Sequence, residues 1–232
     1  MKKTIFIICL TALTVSISFA QKNSEENKYT DSFNTSNCDF VSSGRNDYFV
    51  LEPGFQLILE GIKGKDTLKL VITVLDETKT INGVETRIVE ENESLNGSVV
   101  EISKNYFAFC KKTGTIFYFG EDVDIYKDGK VNNHSGAWIA EGENKAGVVM
   151  PGIILIGSRY YQEIAPGIAM DRAEILSNTE TYETPAGKFI NVLKTSETTP
   201  LEQNDLSIKY YAPGIGLIMD GELRLVKYGK IE

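Results

Sequence analysis

The chain is 232 residues long, with 24 basic and 32 acidic residues and a formal net charge of −8. No cluster of lysine or arginine interrupts that acidity. Nucleic acid is therefore not an expected partner, because phosphate neutralisation needs concentrated positive charge, and an anionic membrane surface is disfavoured for the same reason.

Residues 1–20 carry Lys2 and Lys3, an apolar run from Ile5 to Val15 and the small-residue end Ser18-Phe19-Ala20. This is the pattern of a secretory signal peptide cut before Gln21. The apolar run is too short to span a bilayer, and Cys9 has no lipobox around it and leaves with the peptide. The expected product is a periplasmic or secreted protein without a transmembrane segment.

Residues 21–47 are rich in Asn, Ser, Glu and Asp and read as a flexible polar leader, with Phe33, Phe40 and Val41 available to dock locally. The mature chain keeps Cys38 and Cys110 in a compartment where disulfides persist. Either they pair and staple the leader to the β domain, or they remain separate thiols; sequence separation does not set a Cα distance. Neither belongs to a Cys-x-x-Cys pair, which argues against a thiolate zinc site or redox enzyme.

From Tyr48 the texture changes to short β-type runs bounded by turn residues, and 48–232 reads as a single β domain. Strands are expected at 56–60, 67–75, 84–91, 99–109 and 115–119. Leu68, Leu70, Ile72 and Val74 alternate as a half-buried strand requires. Asn82-Gly83 and Asn96-Gly97 are strong hairpin signals. A second series is expected at 158–164, 172–178, 188–195, 206–212 and 216–220, with a final strand at 223–228. Residues 169–176 are the nearest approach to a helix, and a strand is preferred there.

The two series match residue by residue at a nearly constant offset. Gly54 and Glu60 pair with Gly157 and Glu163, Glu77-Thr78 with Glu180-Thr181, Gly83 with Gly187, Tyr106 and Ala108 with Tyr210 and Ala212, and Gly120-Glu121 with Gly221-Glu222. The expected architecture is therefore all-β: two tandem five-stranded antiparallel meanders, repeat units 54–121 and 157–222 joined by a connector at 122–156, forming a curled sheet, barrel or sandwich.

Glu183-Thr-Pro-Ala-Gly-Lys-Phe189 and Lys209-Tyr-Tyr-Ala-Pro-Gly-Ile-Gly-Leu217 form a motif pair. Together with the stretch from Leu51 to Tyr211, they resemble a family of uncharacterised secreted or lipid-anchored β-rich bacterial proteins. The resemblance implies a single exported β domain in an outer-membrane or periplasmic setting and transfers no catalytic residue. The chain has no lipobox, which separates it from the lipid-anchored members.

Chemistry is expected in the connector, where the two halves are free to differ. It holds the only histidine, His134, and the only tryptophan, Trp138. Trp138 either lines a ligand pocket or belongs to the core, and His134 stands without a nucleophile elbow. Asp122, Asp124 and Asp128-Gly129 have a partial calcium-loop spacing, with Tyr126 and Ser135 where oxygen ligands belong; a plain hairpin turn at Lys127–Lys130 is the competing reading. Tyr160 and Tyr161 are further binding candidates, one facing inward and one outward. The paired acids Glu60 with Glu163 and Glu77 with Glu180 leave carboxylate hydrolysis of saccharides or esters as an alternative. The favoured reading is a non-enzymatic protein binding a small apolar molecule, a glycan or an envelope protein partner. A structural or assembly role is the third.

Overall fold

The computed structural model describes residues 28–203 and 205–231. The expected signal peptide, its cleavage point before Gln21 and the first part of the leader lie outside the described residues. Strands β1 (Phe40–Val41), β2 (Gly44–Asn46) and β3 (Phe49–Leu51) precede a long run: β4 (Phe55–Lys63), β5 (Asp66–Ile81), β6 (Val84–Leu95), β7 (Ser98–Cys110) and β8 (Thr115–Lys127). The connector supplies β9 (Lys130–Asn133), β10 (Trp138–Ile139) and β11 (Lys145–Met150). Then follow β12 (Arg159–Tyr161), β13 (Glu163–Ile164), β14 (Arg172–Thr184), β15 (Gly187–Thr198), β16 (Ser207–Ala212), β17 (Gly216–Asp220) and β18 (Leu223–Lys230).

Turn chemistry drives this layout. At Asn82-Gly83, Asn96-Gly97 and Asp128-Gly129 both central residues have positive φ, the conformation that matches a tight hairpin to strand twist. Several strands outrun their expected ends because pairing continues through irregularities. Thus β5 follows β6 past a register shift between Val74 and Thr78 as far as Ile81.

Two antiparallel meanders result, β4 to β8 and β14 to β18, joined where β18 pairs with β4. On the far side β8 pairs with β11. The sheet then curls until its ends reach one segment: β12 pairs with β14 at one end, and β13 pairs with β11 at the other. The product is a large, nearly closed, antiparallel barrel-like sheet, which decides against a sandwich. The crossing is tight, since a Cβ on Gly147 of β11 would collide with the carbonyl of Gln162, the residue between β12 and β13.

One end is stoppered by the β2–β3 hairpin. Asn46 Nδ2 donates to the carbonyls of Gly114 at 3.0 Å and Pro151 at 3.3 Å, and Tyr48 Oη donates to that of Asn191 at 2.9 Å. Phe49 packs edge-on against Phe107 at 5.4 Å, and Leu51 is fully buried.

From residue 28 onward the leader lies along the barrel, docked through Phe33 and Phe40, two of the residues expected to dock. Phe40 packs edge-on against both Phe117 and Phe119, at 5.4 Å each, and Phe33 joins Phe117. Burying these rings offsets the ordering cost of a segment that is otherwise polar. Buried Arg87 donates to the Ser42 carbonyl at 2.9 Å. Cys38 and Cys110 form a disulfide with Cα atoms 5.3 Å apart.

Replacing Cys38 with Ser should lower unfolding stability by about 2–4 kcal/mol in chemical denaturation, the usual worth of a long-loop disulfide. Gly147→Val should cost about 1–3 kcal/mol by overpacking the crossing, whereas a valine at exposed Lys145, two residues away, should be near neutral.

Candidate functional site

The barrel interior carries the chemistry. Its apolar side is built from Leu57 on β4 and Leu70, Ile72 and Val74 on β5, with Phe107 from β7 and Phe49 from the hairpin, around a cavity of about 230 Å³. A second cavity of about 390 Å³ lies beside it, and Glu91, Phe107, Val149, Gln162 and Lys209 line both. Its rim includes the half-exposed Ile168 and Leu201.

Strand alternation places acids on this inner face. Leu70 and Ile72 stand opposite Glu93 and Glu91 on β6, which stand opposite Glu101 and Ser103 on β7. Buried Asn105 stands opposite Glu121 on β8. From the other wall come Glu163 and Asp171, with Glu197 on β15 and Asp220 on β17. Among the described residues Lys209 on β16 is the one basic side chain lining either cavity, and it is taken: its Nζ lies 2.8 Å from Glu197 and 3.5 Å from Asp220. Glu197 also accepts hydrogen bonds from Tyr211 Oη at 3.1 Å, Gln162 Nε2 at 3.3 Å and Thr195 Oγ1 at 3.4 Å.

Crowding acids in a partly dry interior disfavours their charged forms. Burial, reinforced by Glu163, pushes Glu121 up to about 9. Glu163 is raised to about 7 by burial and then Asp171, and Glu91 to about 7 chiefly by burial. Half-buried Glu101 is raised as well, by burial and then by Glu93; Glu93, although solvent-exposed, is raised by the surrounding protein and then by Asp220. Burial alone would depress Lys209, but Glu197 and Asp220 outweigh it and hold the ammonium charged.

The sequence-derived candidates divide. Trp138 is buried, and its Nε1 donates to Glu163 Oε1 at 3.4 Å, so it backs the acidic wall. Tyr160 faces Ala173 across the β12–β14 ladder, and Ala173 faces Glu197 across the next, which puts Tyr160 on the inner face. It is 5% exposed, and its hydroxyl has no hydrogen-bond partner among the described residues. Tyr161 takes the opposite face and packs against Tyr29 at 6.0 Å.

His134 is exposed and outside, its Nδ1 2.8 Å from the Val123 carbonyl and 2.9 Å from Asp124 Oδ1. Asp122 is also outside, accepting from Tyr106 Oη and from Lys79 Nζ. Asp128 occupies the β8–β9 turn. The three aspartates thus serve separate local contacts. Among the described residues no group of three or more His, Cys, Asp or Glu is gathered to hold a metal ion. Glu60, the partner of Glu163 in the repeat, is exposed beside Lys69 at 3.2 Å, so the two do not form a catalytic pair.

Sequence reasoning missed Glu91, Glu93, Glu101, Glu121 and Lys209. The available signal was acid on both faces of β6, where Glu90, Glu91, Asn92 and Glu93 replace the alternation expected of a half-buried strand.

A carboxyl group whose folded pKa lies above its unfolded value stabilises the fold fully below the unfolded value, and this contribution is lost as pH rises through the folded one. The melting temperature should therefore fall from about pH 5 to about pH 9, and Glu121→Gln should remove the decline at the alkaline end. A profile that rises over this range would contradict the assignment. In comparisons with known proteins, the chain matches no protein family, no curated protein and no solved structure.

Proposed function

We propose that this is an exported binding protein that takes a small molecule into the barrel, its apolar part against the β4–β5 wall and its polar part against the carboxyl-lined wall. The observation that carries this reading is the pair of adjoining interior cavities, one mainly apolar and one mainly acidic, with side chains common to both. Small-molecule sites are typically concave, largely apolar and furnished with a few converging polar groups. Export rests on the signal-peptide pattern of residues 1–20, and membership of the secreted β-rich family is part of the same proposal.

A hydrolase reading draws support from one feature. Glu121 and Glu163 line the same cavity, Glu163 helps to raise Glu121, and carboxyl groups with raised pKa values are common at catalytic centres. If it holds, a saccharide or ester panel should show turnover that Glu121→Gln abolishes. The assembly role draws less support, because both ends of the main sheet are paired on residues 159–164 and so offer less free edge.

The binding reading is tested by native mass spectrometry of the protein purified from an exporting host. It predicts an organic adduct that is absent from the denatured mass. The adduct should be lost in Val149→Trp, which places bulk beside both cavities, while the far-ultraviolet spectrum is unchanged. A wild-type protein free of adduct that also fails to take up any member of a small-molecule library would overturn the reading.

A further inference from the structure

The excess of acid over base inside the barrel constrains what the cavity can hold. Glu91, Glu121, Glu163 and Glu197 face a space whose one lining ammonium, Lys209, is already engaged by Glu197 and Asp220. An anionic ligand would add charge of the wrong sign to a partly desolvated site. A compact metal ion needs several ligand atoms converging on one point, and no such group occurs among the described residues. An organic ammonium differs on both counts: it carries positive charge and offers N–H donors in several directions to oxygens spread around a wall.

A further observation points to a ligand with both polar and apolar parts. The wall that carries Glu91 and Glu93 continues into Leu70 and Ile72 on the neighbouring strand, where a hydrocarbon or aromatic portion can lie.

Resting on the binding reading above, we propose that the ligand is a small amphipathic amine, its ammonium against the carboxyl groups of Glu91, Glu121 and Glu163 and its apolar body against Leu70, Ile72 and Phe107. One of these acids, Glu163, accepts a hydrogen bond from the only tryptophan, Trp138. Occupancy is therefore readable from intrinsic fluorescence.

The test titrates the full mature protein with n-octylamine, 1-octanol and octanoate, following Trp138 emission and confirming binding by calorimetry. Octylamine should bind about tenfold or more tightly than octanol, the scale of charge-assisted over neutral hydrogen bonding, and octanoate more weakly than either. Glu91→Gln and Glu163→Gln should each narrow the amine-to-alcohol ratio while leaving octanol affinity within about twofold, as expected where only the charged contact is lost. Both changes are isosteric and keep a side-chain oxygen acceptor in place, so they preserve the fold. Equal binding of amine and alcohol, or a ratio untouched by both variants, would overturn the amine assignment and leave the cavity reading standing. Failure of all three compounds to bind would overturn both.

Discussion

Residues 159–164 must satisfy two partners at once. Arg159–Tyr161 completes the ladder on β14, and after Gln162 the chain turns its hydrogen bonds to β11 through Glu163 and Ile164. The Gln162 and Glu163 amides both donate to the Asp171 carbonyl, at 2.7 and 3.1 Å, which fixes the switch. Closure then removes the free edges that an open sheet of this size would present and creates an interior. Everything proposed about function depends on that interior. The same few residues bring Gln162 and Glu163 to its wall, so the seam of the barrel is also part of the site.

A partly enclosed wall of acids is costly, because each charge loses part of its hydration. The structure meets this cost in two ways. Around Lys209 it supplies partners, with Glu197 receiving an ammonium, a phenol, an amide and a hydroxyl. Around Glu121 it supplies mainly protons, because burial and Glu163 favour the neutral acid. Protonated carboxyls can be called upon when a cation arrives, which makes the second cluster the more adaptable of the two. The hairpin at Asn46 to Phe49 closes the opposite end with apolar groups and so separates a greasy floor from an acidic upper wall.

Much of the fold was legible from local chemistry. Asn82-Gly83 and Asn96-Gly97 marked hairpins that formed, and the alternation from Leu68 to Val74 marked a strand that is half buried. The site was not, for a physical reason. Its acids are spread from Glu91 to Asp220, one or two per strand, and only the curl of the sheet makes them neighbours. A lone Glu in a strand usually faces water, and the sequence does not reveal that here the inner face is polar. His134 and Trp138 are unique in the chain and single out the connector, yet His134 points outward and Trp138 matters through its contact with Glu163. Tyr160 and Tyr161 divided inward and outward as strand alternation requires.

The most direct test of the central claim, that acids from distant strands share one partly dry interior, is a carboxyl-carbon NMR titration of the folded protein with Glu91, Glu121 and Glu163 assigned. Midpoints near 7 for Glu91 and Glu163 and near 9 for Glu121 are predicted. Midpoints for all three at the ordinary value of about 4.3 for a solvated glutamate would mean that these groups face open water, and would contradict the enclosed acidic wall.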